Sequence, residues 1–222
     1  MKAILGDIDG NLEALKAVLA DIERQGVDSV CNLGDTLGYG PNPVECLDLA
    51  MRMSVVLLGA FDHAVLFGSE SPRSGEDHLL WTQTQLETIG EPADQQRRRA
   101  FLSGLSSLHR DGNILCVHGS PRDPLREYVF PEDVYNLRKM SQIGAAFDRL
   151  CFVGKTHIPG VFIERSPDGW EFVQPEECDQ GFHVVGHKLI CNVGSVGQPR
   201  DGDPRPCYAL FDGERIWFRR VD

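Results

Sequence analysis

Asp7 and Asp9 stand one residue apart where an apolar run, Ala3, Ile4 and Leu5, gives way to Gly6, Gly10 and Asn11. Two carboxylates so spaced at the C-terminal end of a strand, beside a glycine that lets the chain turn into a helix, offer hard oxygen ligands to a metal or a phosphoryl group. A tight turn with an Asx cap accounts for the same hexapeptide. Three more polar residues follow apolar runs in the same way: Asp35 after 27–33, His118 after 114–117 and His157 after 151–153. In an open α/β sheet the ligand site lies at the carboxyl edge of the strands, so these five side chains are expected to converge. Three carboxylates and two imidazoles are ligands that Mn²⁺, Fe²⁺ or Zn²⁺ accept, and a carboxylate such as Asp35 can bridge two ions roughly 3.5 to 4 Å apart. Singly, Asp35 reads as a cap and the histidines as hydrogen-bonded loop residues. Together, with glycines beside nearly every one, they read as a site.

The elements that must carry them follow from periodicity. Leu12, Leu15, Val18, Leu19 and Ile22 recur at helical spacing, and Gly26 is placed to end that helix. A second strand over 27–33 and a second helix, entered through Pro41 and Pro43, repeat the unit. A third strand is expected over 54–58. The stretch 64–108 reads as mostly helical, broken at 69–75 and 90–92, with Arg97, Arg98 and Arg99 facing solvent. Strands at 114–117 and 151–153 flank a helical stretch over 131–147. From about residue 160 onward, short strands over 161–163, 170–173, 183–185, 188–193, 208–211 and 216–221 alternate with turn residues such as Pro167-Asp168-Gly169 and Asp212-Gly213. Hairpins there imply a mixed sheet. With no repeat and no linker, the reading is a single α/β domain over 1–222.

Composition narrows the class. A chain of 222 residues with 41% hydrophobic content can bury one substantial core. A formal net charge of -11 argues against a nucleic-acid polymer or an anionic membrane as partner. No apolar run approaches the roughly 18 residues that span a bilayer, and the opening residues are expected to enter a strand rather than to form a leader. Seven cysteines lie scattered without C-x-x-C spacing, which suits reduced core residues in a cytoplasmic protein.

The ordered motifs G-D-x-D-G-N, G-D-x-x-G-Y-G-P, G-x-x-D, H-G-S-P and G-x-T-H-x-P, followed by the run from Asn192 to Arg200, resemble the calcineurin-like metallophosphoesterases, in their small bacterial phosphodiesterase and phosphatase branch. The resemblance implies an αββα sandwich of mixed sheets flanked by helices. It also implies a divalent-metal site whose activated water attacks phosphorus in a phosphomonoester or phosphodiester. The substrate would be a small phosphorylated molecule, a nucleotide or a phosphoprotein; oligomeric state is left open.

Carried over residue by residue, the resemblance places Asp7, Asp9, Asp35 and His157 on a first metal, although the family normally has a histidine where Asp9 stands. The second metal's ligands fall on Asp35, Ala60, His118 and Lys155. Ala60 has no donor atom and Lys155 should be a cation. The family's histidine that assists the leaving group falls on Phe61. One ion is therefore expected to bind firmly, Mn²⁺ foremost with Fe, Zn or Mg as alternatives, and a second weakly if at all. Asp35, His118 and Lys155 are the expected catalytic residues. Lys155 and Arg200 are the expected phosphate contacts, the ammonium partly replacing the second ion and the guanidinium clamping an oxyanion. A solvated strand-end lysine is the plainer reading of Lys155.

Two other readings compete. Asp7-Ile8-Asp9-Gly10-Asn11 also resembles the opening of haloacid-dehalogenase-like phosphatases, a scheme with no place for His118 and His157. The losses at Ala60, Phe61 and Lys155 would equally suit a non-catalytic relative that binds a metal and a phosphorylated or nucleotide ligand. Asp62 is expected to orient a neighbour of the site, and Ser120, Arg122 and Asp123 could meet substrate. His63 reads as a helix-start residue, and His78, His109, His183 and His187 as structural or surface groups.

Overall fold

The computed structural model describes residues 1–68, 76–166, 169–178 and 180–222. The expected interruption of the helical stretch at 69–75 and the Pro167-Asp168 turn lie outside these residues. In chain order the elements are β1 (Lys2–Leu5), α1 (Leu12–Arg24), β2 (Ser29–Asn32), α2 (Pro43–Ala50), β3 (Val55–Val56), α3 (Ala60–Phe67), α4 (Glu76–Thr88) and α5 (Pro92–Ser103). Then follow β4 (Leu108–Asp111), β5 (Ile114–Val117), a short 3₁₀ turn, α6 (Leu137–Gly144), β6 (Leu150–Val153), β7 (Gly160–Ser166), β8 (Gly169–Val173), β9 (Phe182–His183), β10 (Leu189–Asn192), β11 (Cys207–Phe211) and β12 (Arg215–Arg220).

The strands form two six-stranded mixed sheets, ordered β3-β2-β1-β11-β12-β9 and β4-β5-β6-β10-β7-β8. In each, parallel strands from βα units meet antiparallel strands from the later hairpins, as the change of pattern near residue 160 predicts. Alternation along the strands builds the layers, because successive side chains point to opposite faces. In β1, Ile4 packs between the sheets with Phe152 and Phe211, whereas Ala3 and Leu5 pack on Leu15, Val18 and Ile22 of α1. In β6, Leu150 and Phe152 face the inter-sheet core, and Cys151 and Val153 face Met140 and Ile143 of α6. Helix, sheet, sheet and helix are thus stacked as an αββα sandwich.

Two local expectations are corrected. Arg98 does not face solvent: it is 6% exposed and binds Asp48 of α2 through Nε–Oδ1 at 2.9 Å and Nη2–Oδ2 at 2.6 Å, with Nη1 donating to Ile89 O. A buried guanidinium is tolerable because its fork is matched by a carboxylate and a carbonyl. The helical reading up to residue 108 also runs too far. Residues 108–111, Leu-His-Arg-Asp, form β4 against β5, an edge strand whose polar sequence gives no apolar alternation. Cys31, Cys46, Cys116, Cys151, Cys191 and Cys207 are buried free thiols, as expected; the Cys178 side chain lies outside the described set. Among the described residues no helix is long and apolar enough to cross a membrane.

Candidate metal centre

The parallel pairing of β1 with β2 sets Leu5 opposite Asn32, so the two chains leave the sheet side by side. Asp7 N donates to Gly34 O and Asp9 N to Asp35 O, both at 3.0 Å, which locks the two aspartate turns together. Across the sandwich, β5 and β6 end at His118 and at Lys155 and His157. Asp7, Asp9, Asp35, Lys155 and His157 have φ of 51°, 53°, 49°, 68° and 62°, and among the described residues they are the only non-glycines in the left-handed region. Such strain persists where surrounding contacts over-determine it, and it collects at functional sites.

Those contacts are visible. Asn32 and Asn192, at the ends of β2 and β10, act as matching brackets. Each accepts at Oδ1 from the amide two residues on, Gly34 or Gly194, and donates from Nδ2 to Thr36 or Thr156. Asp62 accepts amides from Leu37, Gly59 and Thr36, so it holds the Asp35 turn as expected. Burial and the nearby Asp35 carboxylate push Asp62 up to about 7, against the Leu37 and Gly59 amides. Glycine is required where backbone meets carboxylate: a Cβ on Gly59 would lie 2.2 Å from Asp35 Oδ1, and one on Gly154 would lie 2.5 Å from Asp7 Oδ2.

The expected convergence is present. One ligand atom from each of Asp7, Asp35 and His118 falls within 4.8 Å of the others. His157 Nε2 lies 3.3 Å from Asp7 Oδ1, and its Nδ1 meets Gln198 O at 2.6 Å. A carbonyl can only accept, so Nδ1 carries the proton and Nε2 presents its lone pair to the cluster. Asp9 Oδ2 is 3.8 Å from His157 Nδ1.

A divalent cation fits this donor set. Both ring nitrogens of His118, fully buried, lack a hydrogen-bond partner, although Nε2 is 3.2 Å from Asp35 Oδ2; Asp9 Oδ2 is likewise orphaned. Buried polar atoms are normally satisfied, and orphans gathered at one point indicate a missing partner. The charges agree. Burial and Asp7 raise the Asp9 carboxyl well above the usual range. Burial also raises Asp35, but His118 and Lys155 overcome it and hold the carboxyl low. Burial pulls both histidines down, yet the carboxylates outweigh it and both are raised.

Lys155 is not a solvated strand-end residue. It is 8% exposed, its backbone N–H donates to Asp7 Oδ2 at 2.9 Å, and its Nζ lies 4.5 Å from the centre of the Tyr128 ring. Burial lowers its ammonium, while Asp35, Asp7 and Asp123 hold it up. Arg200 is exposed, with Nη2 on Gln198 Oε1 at 2.8 Å and its amide on His157 O, and its charge reaches Asp9.

A sequence profile of the calcineurin-like phosphoesterase superfamily domain matches residues 1–215. The chain belongs to the calcineurin-like phosphoesterase superfamily. The crystal structure of a metallophosphoesterase from Sphaerobacter thermophilus is 34% identical, with a TM-score of 0.80 over 100% of this chain and 87% of that one. An uncharacterised protein of Methanocaldococcus jannaschii is 33% identical over 231 residues, 96% of this chain and 82% of the relative. A hypothetical protein from Pyrococcus horikoshii OT3, 21% identical, shares the fold with a TM-score of 0.72 over 100% of this chain and 88% of that one. Superfamily membership makes the chain a metal-dependent phosphoesterase in its general class.

Within this phosphoesterase fold several candidates are engaged by the elements that carry them. Ser120 gives its hydroxyl to Glu127, and Arg122 is held by Glu127 and Gln142, so both brace the loop after His118. Asp123 caps the amides of Leu125 and Arg126. His63 packs on Phe67 within α3. Phe61 lends Asp35 its amide at 2.6 Å while its ring packs among Leu37, Leu47 and Val65. Sequence reasoning missed the two asparagine brackets, for which the shared N-x-G spelling was the available signal. His78, read as a structural or surface group, meets Gly38 O through its Nε2.

Proposed function

We propose that this phosphoesterase hydrolyses a phosphomonoester or phosphodiester of a small phosphorylated or nucleotide substrate, with one firmly held divalent ion and an impaired second position. The reading is carried by the approach of ligand atoms from buried Asp7 and His118 and half-buried Asp35 to within 4.8 Å of one another. Asp7, Asp9, Asp35 and His157 would hold the first ion. Asp35 and His118 would be all that remain for a second, because Ala60 offers no donor. A bound ion supplies Lewis acidity and a more acidic water. Exchanging an imidazole for Asp9 hardens the site, which favours Mn²⁺ or Mg²⁺ relative to soft-ligand metals, whereas intrinsic affinity favours Zn²⁺. The six buried free thiols suit a reducing compartment such as the cytoplasm.

The protein's own groups do the positioning. Lys155 places a buried positive charge beside Asp35 and Asp7, where it can bind a phosphate oxygen as a point charge. Arg200 adds an exposed guanidinium, steadied by Gln198. Asp62, Asn32 and Asn192 keep the two aspartate turns fixed as charge moves. Phe61 can neither donate a proton nor accept one, so leaving-group protonation falls to solvent. Three carboxylates, one divalent ion and one ammonium come close to neutral, which draws in a phosphate less strongly than a two-metal site. Losing one preorganised donor typically costs about 10²- to 10³-fold in turnover.

The same substitutions favour a second reading, a relative that binds metal and a phosphorylated ligand without turnover. One experiment separates them. Elemental analysis of purified protein should give about one ion per chain, with slow hydrolysis of a generic aryl phosphodiester that rises with added Mn²⁺. Ala60→Asn with Lys155→His, then Phe61→His, should move stoichiometry toward two and raise turnover. Ordinary two-metal rates from the parent with one ion bound would refute the impaired site. Absence of turnover in both parent and restored protein would favour binding alone.

A further inference from the structure

Beside the carboxylates stands a group of rings that the hydrolytic site does not use. Tyr39, His78 and Trp81 form a run of neighbouring rings, Tyr39 stacked on His78 and His78 tilted against Trp81, with centroids 5.6 and 5.5 Å apart and planes inclined by 28° and 30°. Phe61 backs the run, its centroid 5.7 Å from Tyr39 and 6.0 Å from His78. Leu37, Val65, Leu79 and Leu102 pack in the same cluster as Phe61 and fix it from below. His78 Nε2 is tied to Gly38 O, which holds the middle ring at its angle. The end rings are open to solvent: Tyr39 is 53% exposed and Trp81 36%.

The position of Tyr39 gives this surface its meaning. Both flanking glycines press on Asp9: a Cβ on Gly38 would lie 2.4 Å from Asp9 Oδ1, and Gly40 N donates to Asp9 O. Phe61 is joined to Asp35 by its amide. Two of the four rings are therefore fixed to two of the candidate metal-site carboxylates, Tyr39 through its neighbouring glycines and Phe61 through its own amide. An aromatic face left in water is an unused binding surface, and a planar π-system covers it best. The chain's strong negative charge argues against a nucleic-acid strand as the planar partner.

We propose that Tyr39, backed by Phe61 and His78, is a stacking platform for a planar aromatic group carried by the phosphoester. A nucleobase and a simple aryl group share this chemistry. The proposal rests on the phosphoester reading and adds to it the class of ester preferred.

The test is equilibrium binding of AMP, phenyl phosphate and ribose 5-phosphate to the Mn²⁺-loaded protein by calorimetry, with released phosphate assayed to verify intact ligand. Stacking of about 1–3 kcal/mol predicts that an aromatic ligand binds about 5- to 150-fold more tightly than ribose 5-phosphate. In Tyr39→Ala that ratio should fall toward one, and Tyr39→Leu, which keeps apolar bulk without a π-face, should restore little of it. Circular dichroism checks that these exposed substitutions leave the fold intact. A gain for AMP alone supports a platform sized for a nucleobase, and a gain for both supports one that takes any aryl ring. Equal binding of all three ligands to the parent overturns the platform and leaves the phosphoester reading standing. Failure of all three to bind overturns the platform together with the phosphomonoester form of the reading. A ratio preserved in Tyr39→Ala places the aromatic preference elsewhere and also overturns the proposal.

Discussion

Asp35 is the residue on which the centre turns. It touches His118 from β5, takes an amide from Phe61, and lends its carbonyl to Asp9, so both sheets meet at one side chain. Asp35→Asn preserves shape and removes one charge. Titration calorimetry with Mn²⁺ should show at least about 100-fold weaker binding, beyond the 10- to 100-fold usual for loss of an outer partner. Stoichiometric, tight binding by that variant would mean that the ion sits on Asp7, Asp9 and His157 alone. The grouping of these side chains was legible in the sequence, because strand ends in α/β folds converge and the five ligand-type residues each stood at one. The distances were not legible. His118 approaches both Asp7 and Asp35, at 3.8 and 3.2 Å, and so straddles the two ligand groups that the resemblance keeps apart.

At the scale of elements, the outer layers depend on a few buried charges that periodicity cannot reveal. Asp21 of α1 lies under β11 and β12, where its carboxylate accepts from Tyr208 at 2.7 Å and from Arg219 through two contacts of 3.1 Å. Its side chain is 7% exposed. Burial pushes the carboxyl up, but Arg219 and Tyr208 outweigh it and bring it down to about 2. A carboxyl held below its unfolded value of 3.8 stabilises the fold above that pH and loses its contribution as pH falls through 2. The shift corresponds to about 2 kcal/mol at pH 7, of which about half is gone by pH 3. Urea unfolding of Asp21→Asn should accordingly show its deficit at pH 7 and a smaller one at pH 3. An unchanged gap would assign the loss to packing. Arg98 and β4 escaped the sequence reading for a related reason. A polar residue announces neither its burial nor its strand until a partner such as Asp48 or β5, distant in sequence, is brought against it.

For the whole molecule, the inter-sheet core joins strands from both halves of the chain, and Ile4, Phe152 and Phe211 occupy one cluster. One cooperative unfolding transition is therefore expected for the metal-free protein, and Mn²⁺ at 100 times its dissociation constant should add about 2.7 kcal/mol. Two separated transitions in calorimetry would contradict the shared core. The left-handed turns at the cleft carry this further. Residues held in that region cost of order 1–3 kcal/mol each, and here three of the five are also carboxylates crowded in low dielectric. Asp9→Gly removes both burdens at one position, so the metal-free variant should melt several degrees higher while its affinity for Mn²⁺ collapses. A lower melting temperature would mean that the Asp9 side chain braces the turn. Selection for thermal endurance alone would thus erode the cleft first, and a descendant of this chain that no longer needed the ion would be expected to show glycine where the aspartates now stand.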